Sequence, residues 1–220
     1  MKKKNAFTLA EILITLGVIG IVAAMTLPAL IQKQQKKEIS VSLKKLYSAM
    51  SQAILMSQTV NGDIENWSRS GNLTDDNPDV QNNKNYEEIK HYWDKYYAPF
   101  IKTVRTEKST EEGLGRLKVY LPDGSSMLVW NGGCMSFLYD ANGDKKPNKS
   151  GQDIFNFHVC EEVNERNLYL GNRKYFGPAG MIDAVNRDKA IEICQNEGYN
   201  CGALLIMYDN FEFKRDYPWW

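Results

Sequence analysis

From Ile12 to Ile31 the chain runs for 20 residues without a charged side chain, and nothing else in the sequence restricts its fold and location so tightly. At 1.5 Å rise per residue such a run makes roughly 30 Å of helix, the thickness of a bilayer's hydrocarbon core. Two plain readings compete for it. A secretory signal peptide has a basic start, which Lys2–Lys4 supply, and a small-residue cleavage site at the far end, where Val22-Ala23-Ala24 stand. Its apolar core, however, is usually about 7 to 15 residues, shorter than this run. A simple membrane anchor fits the length better, but Glu11 lies at the near end of the run. A carboxylate left charged in lipid costs a few kcal/mol or more, so an acid in that place points to a function.

The balance of 27 basic and 27 acidic residues hides an asymmetry along the chain. Gln32–Lys45 holds five lysines and one glutamate, and before residue 50 the only acids are Glu11 and Glu38. The remainder is acidic overall. A neutral total excludes a global basic field of the kind that binds nucleic acid through its phosphates, and the two histidines leave little room for a multi-His metal site.

The residues around the acid are specific. Ala6-Phe7-Thr8-Leu9-Ala10-Glu11 resembles the processing site of the type IV pilin superfamily, which includes pilins and the pseudopilins of type II secretion and competence systems. The resemblance covers about residues 5–56. It implies that a membrane peptidase/methyltransferase cuts between Ala6 and Phe7 and methylates the new amine; the family usually has Gly where this chain has Ala6. It also implies that Glu11, fifth in the mature chain, meets the amine of a neighbouring subunit and sets the register of assembly. Gly20 and Pro28 stand where pilins commonly weaken the helix. A proline inside a helix removes one backbone hydrogen bond, and a glycine lowers helix propensity by about 1 kcal/mol. A cut at the near end of the run leaves the whole run attached, unlike a signal-peptide cut.

Past the apolar run, Ile39, Leu43, Leu46, Met50 and Ile54 recur at helical spacing, the mark of one buried stripe. Lys36, Lys37, Lys44 and Lys45 fall on the other side, as a solvated face or one that touches lipid headgroups. A helix from about Phe7 to about Ser57 is expected. Residues 58–84 read as a turn-rich surface connector, with Asn77-Pro78 as a break, and Asn85-Tyr86-Glu87-Glu88 as a capping box. It opens a helix carrying Ile89, Tyr92, Trp93, Tyr96 and Phe100. Alternation and turns then predict four antiparallel strands, from Arg116, over Met127–Trp130, Cys134–Tyr139 and Ile154–Val159. A helix ending near Cys194 and an apolar strand over Ala203–Tyr208 complete the reading. The expected fold is α+β: a long N-terminal helix packed on a four-stranded antiparallel meander, as in pilins.

The loop Asp140–Asp153 has the richest chemistry. Asp140, Asn142 and Asp144 share the alternate spacing that begins an EF-hand loop, with Asp153 as a fourth oxygen donor for Ca²⁺. Against that, Gly143 comes early and Gly151 stands where a bidentate Glu belongs. The other reading is a turn capped by its own Asx side chains. The four cysteines, none in a Cys-x-x-Cys, favour disulfides in an oxidising compartment. Of three connectivities the sequence suggests Cys194–Cys201, closing a short loop, and Cys134–Cys160, tying the third strand to the end of the fourth. No catalytic motif is present, and His91 and His158 sit in aromatic or strand contexts, so an enzyme is not expected.

Together these readings divide the chain into a cytoplasmic leader (1–6), a transmembrane and assembly helix (7–31), its amphipathic half (32–57) and an extracytoplasmic head (58–220). The expected partners are the prepilin peptidase/methyltransferase, other pilin-like subunits, an inner-membrane assembly platform and, before assembly, membrane lipid; no direct nucleic-acid binding is evident. The expected function is that of a minor pilin or pseudopilin in a type IV pilus, secretion or DNA-uptake filament. The alternative is an anchored single-copy domain, glycan-binding through Trp67, Trp93, Trp219 and Trp220.

Overall fold

The structure, a computed structural model, describes residues 8–68, 77–109, 115–132, 134–160, 176–179, 186–197 and 201–220. The fold is α+β, a long N-terminal helix with an antiparallel sheet. Helix α1 (Leu9–Asn61) contributes to two compact units, Met1–Glu38 and Ile39–Trp220.

In the second unit α1 buries Ile39, Leu43, Leu46, Met50 and Ile54, the stripe expected from their spacing, together with Ala53 and Ser57. Among the described residues six strands, two more than expected, run in the order β1 (Arg105–Ser109), β2 (Arg116–Tyr120), β3 (Ser126–Asn131), β4 (Met135–Asp140), β5 (Ile154–Val159) and β6 (Gly177–Pro178). Every neighbouring pair is antiparallel. Register lines up Leu117, Val129, Phe137 and Phe157 in one row and Val119, Met127, Tyr139 and Phe155 in the next, all buried. Side chains two apart along a strand share a face, so these rows make one continuous apolar surface. Each large side chain removed from water there contributes about 1.5–3 kcal/mol. The Tyr139 hydroxyl meets Ser42 Oγ of α1 at 2.5 Å, and Tyr47 of α1 packs on the rings of Phe176 and Phe211.

Helix α2 (Pro78–Tyr96) corrects the expected connector. It begins seven residues before the expected capping box, because Asn77 Oδ1 accepts from the Asp79 amide at 2.9 Å and Pro78 occupies the first turn. A proline there gives up only an N–H that has no helical partner, so Asn77-Pro78 starts a helix instead of breaking the chain. Asn85 is consequently a buried mid-helix residue and not a cap. Ile89, Tyr92, Trp93 and Tyr96 are buried, whereas Phe100 lies beyond the helix in a turn. Trp67 stacks on Tyr96 with centroids 4.4 Å apart, and Trp93 stacks on Tyr97 at 5.3 Å. Trp67 is 4% and Trp93 1% exposed, so neither offers a face to a sugar, which removes both from the glycan-binding alternative.

Residues Gly202–Tyr208 form helix α4, not the expected strand. Gly202–Ile206 are all buried, and an element covered on every side shows no period that separates helix from strand. Helix α3 (Arg187–Glu197) precedes it. Arg187 joins the two: its Nη2 and Nε reach both carboxylate oxygens of the buried Asp209, at 2.9 and 2.5 Å, and it also donates to both oxygens of Asp216. Two acceptors hold the guanidinium charged and push its pKa up, while Asp216 is held below the ordinary carboxylate value.

Candidate assembly segment

The N-terminal motif places its chemistry at the start of α1. Thr8 precedes the first helical residue, and Glu11 is third within the helix. The Thr8 amide and hydroxyl both donate to Glu11 Oε2 at 2.8 Å, and the Glu11 amide donates back to Thr8 Oγ1 at 3.3 Å. This is a reciprocal capping box, which satisfies helix-end donors that would otherwise lack partners. Sequence reasoning singled out Glu11 and passed over Thr8, although the Thr-x-x-Glu spacing carries the signal. Ala6 and Phe7, the residues flanking the expected cut, lie outside the described residues.

The run that follows is apolar and exposed. Leu9 is 76% exposed, and Leu13, Ile14, Leu16, Ile19 and Ile21 are exposed as well. By length and hydropathy this stretch of α1 is able to cross a membrane. Its polar side chains turn back onto the helix: Thr15 Oγ1 donates to the Glu11 carbonyl at 2.9 Å and Thr26 Oγ1 to the Val22 carbonyl at 2.9 Å. Internal pairing of this kind suits a helix in lipid, where water is not available to satisfy a hydroxyl. Gly20 has open space around its Cα, and Pro28 lies inside the helix.

The Asp140–Asp153 loop is arranged as a turn capped by its own side chains. Asp153, fully buried, accepts from Asn142 Nδ2 at 3.0 Å and the Asn148 amide at 2.8 Å through Oδ2, and from the Lys149 amide at 2.6 Å through Oδ1. Asp140 Oδ1 accepts from the Asn142 amide at 3.1 Å. Burial, reinforced by the nearby Asp153 charge, raises the Asp140 pKa to about 7. Asp144 is turned outward and pairs with Lys118 Nζ at 2.8 Å. The Asn142 Oδ1 atom is buried without a hydrogen-bond partner, which leaves one oxygen available to a cation. Among the described residues no group of three His, Cys, Asp or Glu side chains is placed to hold a metal. Gly143, at φ +69°, lies against the Gly124 carbonyl, which a Cβ would approach to 2.3 Å.

Cys134 is joined to Cys160, with Cα atoms 4.6 Å apart, and Cys194 to Cys201, at 5.7 Å. The first bond links the residue before β4 to the residue after β5, and the second links α3 to the start of α4. His158, on β5 opposite Ser136 and Gly177, is largely buried, and burial lowers its pKa to about 4. His91 is exposed on α2.

Residues 29–220 match a family of unknown function (DUF6613). The chain belongs to this family. Residues 1–27 match the prokaryotic N-terminal methylation motif, the prepilin signal of type IV pilins and pseudopilins. In this member of DUF6613 that signal precedes the family region directly, so the chain is a pilin-like or pseudopilin-like precursor that carries a helix long and apolar enough to cross a membrane. No curated protein and no solved structure matches it.

Proposed function

We propose that the mature chain begins at methylated Phe7 and is a minor pilin or pseudopilin, a non-enzymatic subunit that enters a filament through its N-terminal helix. The observation that carries this reading is the motif heading an apolar run that no part of its own unit covers. Such a run is stable in lipid, and packing against the same run of neighbouring subunits exchanges one apolar environment for another at little net cost. Lys2–Lys4 stay in the cytoplasm, where a basic flank is favoured, and the head from residue 58 onward is extracytoplasmic. Two disulfides suit that side of the membrane. Glu11, held at the helix end by Thr8, faces the positive amine of an adjoining Phe7, and pairing the two removes an unpaired charge from the apolar interior. The partners are the prepilin peptidase/methyltransferase, an assembly platform in the inner membrane and other pilin-like subunits; the filament is a type IV pilus, a secretion pseudopilus or a DNA-uptake fibre.

The test is mass analysis of the N-terminal peptide from membranes of cells that hold the matching peptidase and from cells that lack it. A start at N-methyl-Phe7 that depends on the peptidase is expected. A start near Met25, after Val22-Ala23-Ala24, would mean a signal peptide and would end this reading.

A further inference from the structure

The charges next to the apolar run are one-sided. Beyond Ile31 the first charged side chains are Lys33, Lys36 and Lys37, and all three belong to the same compact unit as the run itself. On a helix they lie roughly 3 to 9 Å past Ile31, which is the depth of the headgroup layer when the run fills the hydrocarbon core. Turning about 100° per residue, the three fall within an arc of about 100°, so they form one basic face. Lys33 and Lys37 are exposed, and Lys36 between them is half-buried and already has a contact of its own. Glu38, the next charge along the chain, lies about 140° around the helix from Lys33 and accepts from Gln34 Nε2 at 2.9 Å.

We propose that Lys33, Lys36 and Lys37 form a phosphate-binding collar that docks the helix on anionic phospholipid headgroups of the leaflet at its far end, before assembly. Long lysine stems lie along the apolar surface while their ammonium groups reach outward, and an anionic leaflet attracts each of them within a Debye length. The collar gives the inserted subunit a fixed depth, with Ile31 at the edge of the hydrocarbon. It rests on the reading of this helix as a membrane anchor.

The experiment uses the full chain reconstituted in phosphatidylcholine vesicles and in vesicles with about 30% phosphatidylglycerol. A membrane-impermeant amine reagent modifies accessible lysines, and peptide mapping reads the rate at Lys33, Lys36 and Lys37 relative to the exposed head residues Lys102 and Lys149. Protection of the three by about threefold to tenfold in the anionic vesicles, lost in about 0.5 M salt, is the expected result. Equal relative rates in both vesicles overturn the collar. Equal protection by inorganic phosphate with neutral vesicles also overturns it, because the ligand is then not a lipid. Failure of the chain to float with neutral vesicles is a separate outcome, and it overturns the anchor reading on which the collar depends.

Discussion

The amide and the hydroxyl of Thr8 converge on a single oxygen of Glu11, each at 2.8 Å. A carboxylate held in this way has a local duty as well as the proposed pairing with a neighbour's amine. Substitutions at Glu11 therefore remove two things at once, a helix cap and a charge.

The two duties separate by substituting each partner. Thr8→Val removes the hydroxyl and leaves the charge; loss of a cap costs about 1 kcal/mol, so amide exchange at Glu11 and Ile12 in detergent should rise about fivefold with only a modest loss of filament incorporation. Glu11→Gln retains an oxygen acceptor but removes the charge, and incorporation should fall far more than in Thr8→Val while membrane insertion is unchanged. Wild-type incorporation of Glu11→Gln would sink the charge-pairing role.

Asp153 is expected to be the most sensitive residue of its loop. Asp153→Ala strips acceptors from the Asn148 and Lys149 amides and from Asn142 Nδ2. The expected loss is about 2–4 kcal/mol, and for a domain of this size a Tm lower by about 5–15 °C. Asp144→Ala, which breaks only an exposed ion pair with Lys118, should change stability by less than about 1 kcal/mol. Thermal unfolding of the two variants compares them directly, and similar losses would refute the assigned roles.

His158 makes stability depend on pH. Its pKa falls from the ordinary 6.5 to about 4 in the folded chain, so the unfolded chain binds more protons between those values. Its contribution is fully present above pH 6.5 and is lost as pH falls toward about 4. His158→Gln should flatten the part of the Tm profile between those limits. An identical slope in variant and wild type would assign the acid sensitivity to other groups.

The two disulfides should differ in worth. In the chain-entropy description, a bond spanning 26 residues restrains the unfolded chain more than one spanning 7. The expected contributions are about 3.5 kcal/mol for Cys134–Cys160 and about 2.4 kcal/mol for Cys194–Cys201. Denaturant unfolding of the two Cys→Ser pairs tests the order, and a larger loss for the shorter loop would contradict it.

Elements whose apolar residues recur with a clear period were legible in the sequence. The stripe on α1 and strand β5 appear where alternation and helical spacing put them. Elements without such a period were not. Strand β1 reads Arg-Thr-Glu-Lys-Ser, a charged edge with no apolar side chain and only Ser109 buried, and β6 is only two residues long. Helix α4 is buried all round, so its run of apolar residues carries no period. The start of α2 was hidden because Asn-Pro serves equally as a turn and as a helix cap with its first residue. In the assembly segment Glu11 stood out as an acid beside an apolar run, whereas its partner Thr8 was visible only through a spacing rule.

The 140–153 loop is held from far along the chain: Tyr217 Oη donates to the Gly151 carbonyl at 2.8 Å, Gln152 Nε2 to the Trp219 carbonyl at 2.5 Å, and the Trp219 ring fills the space a Cβ on Gly151 would need. The loop therefore cannot reach its final form until some 66 further residues have been made and delivered. If the head is exported as proposed, this loop closes only after Tyr217 and Trp219 have followed it across, and export and folding are then ordered in time.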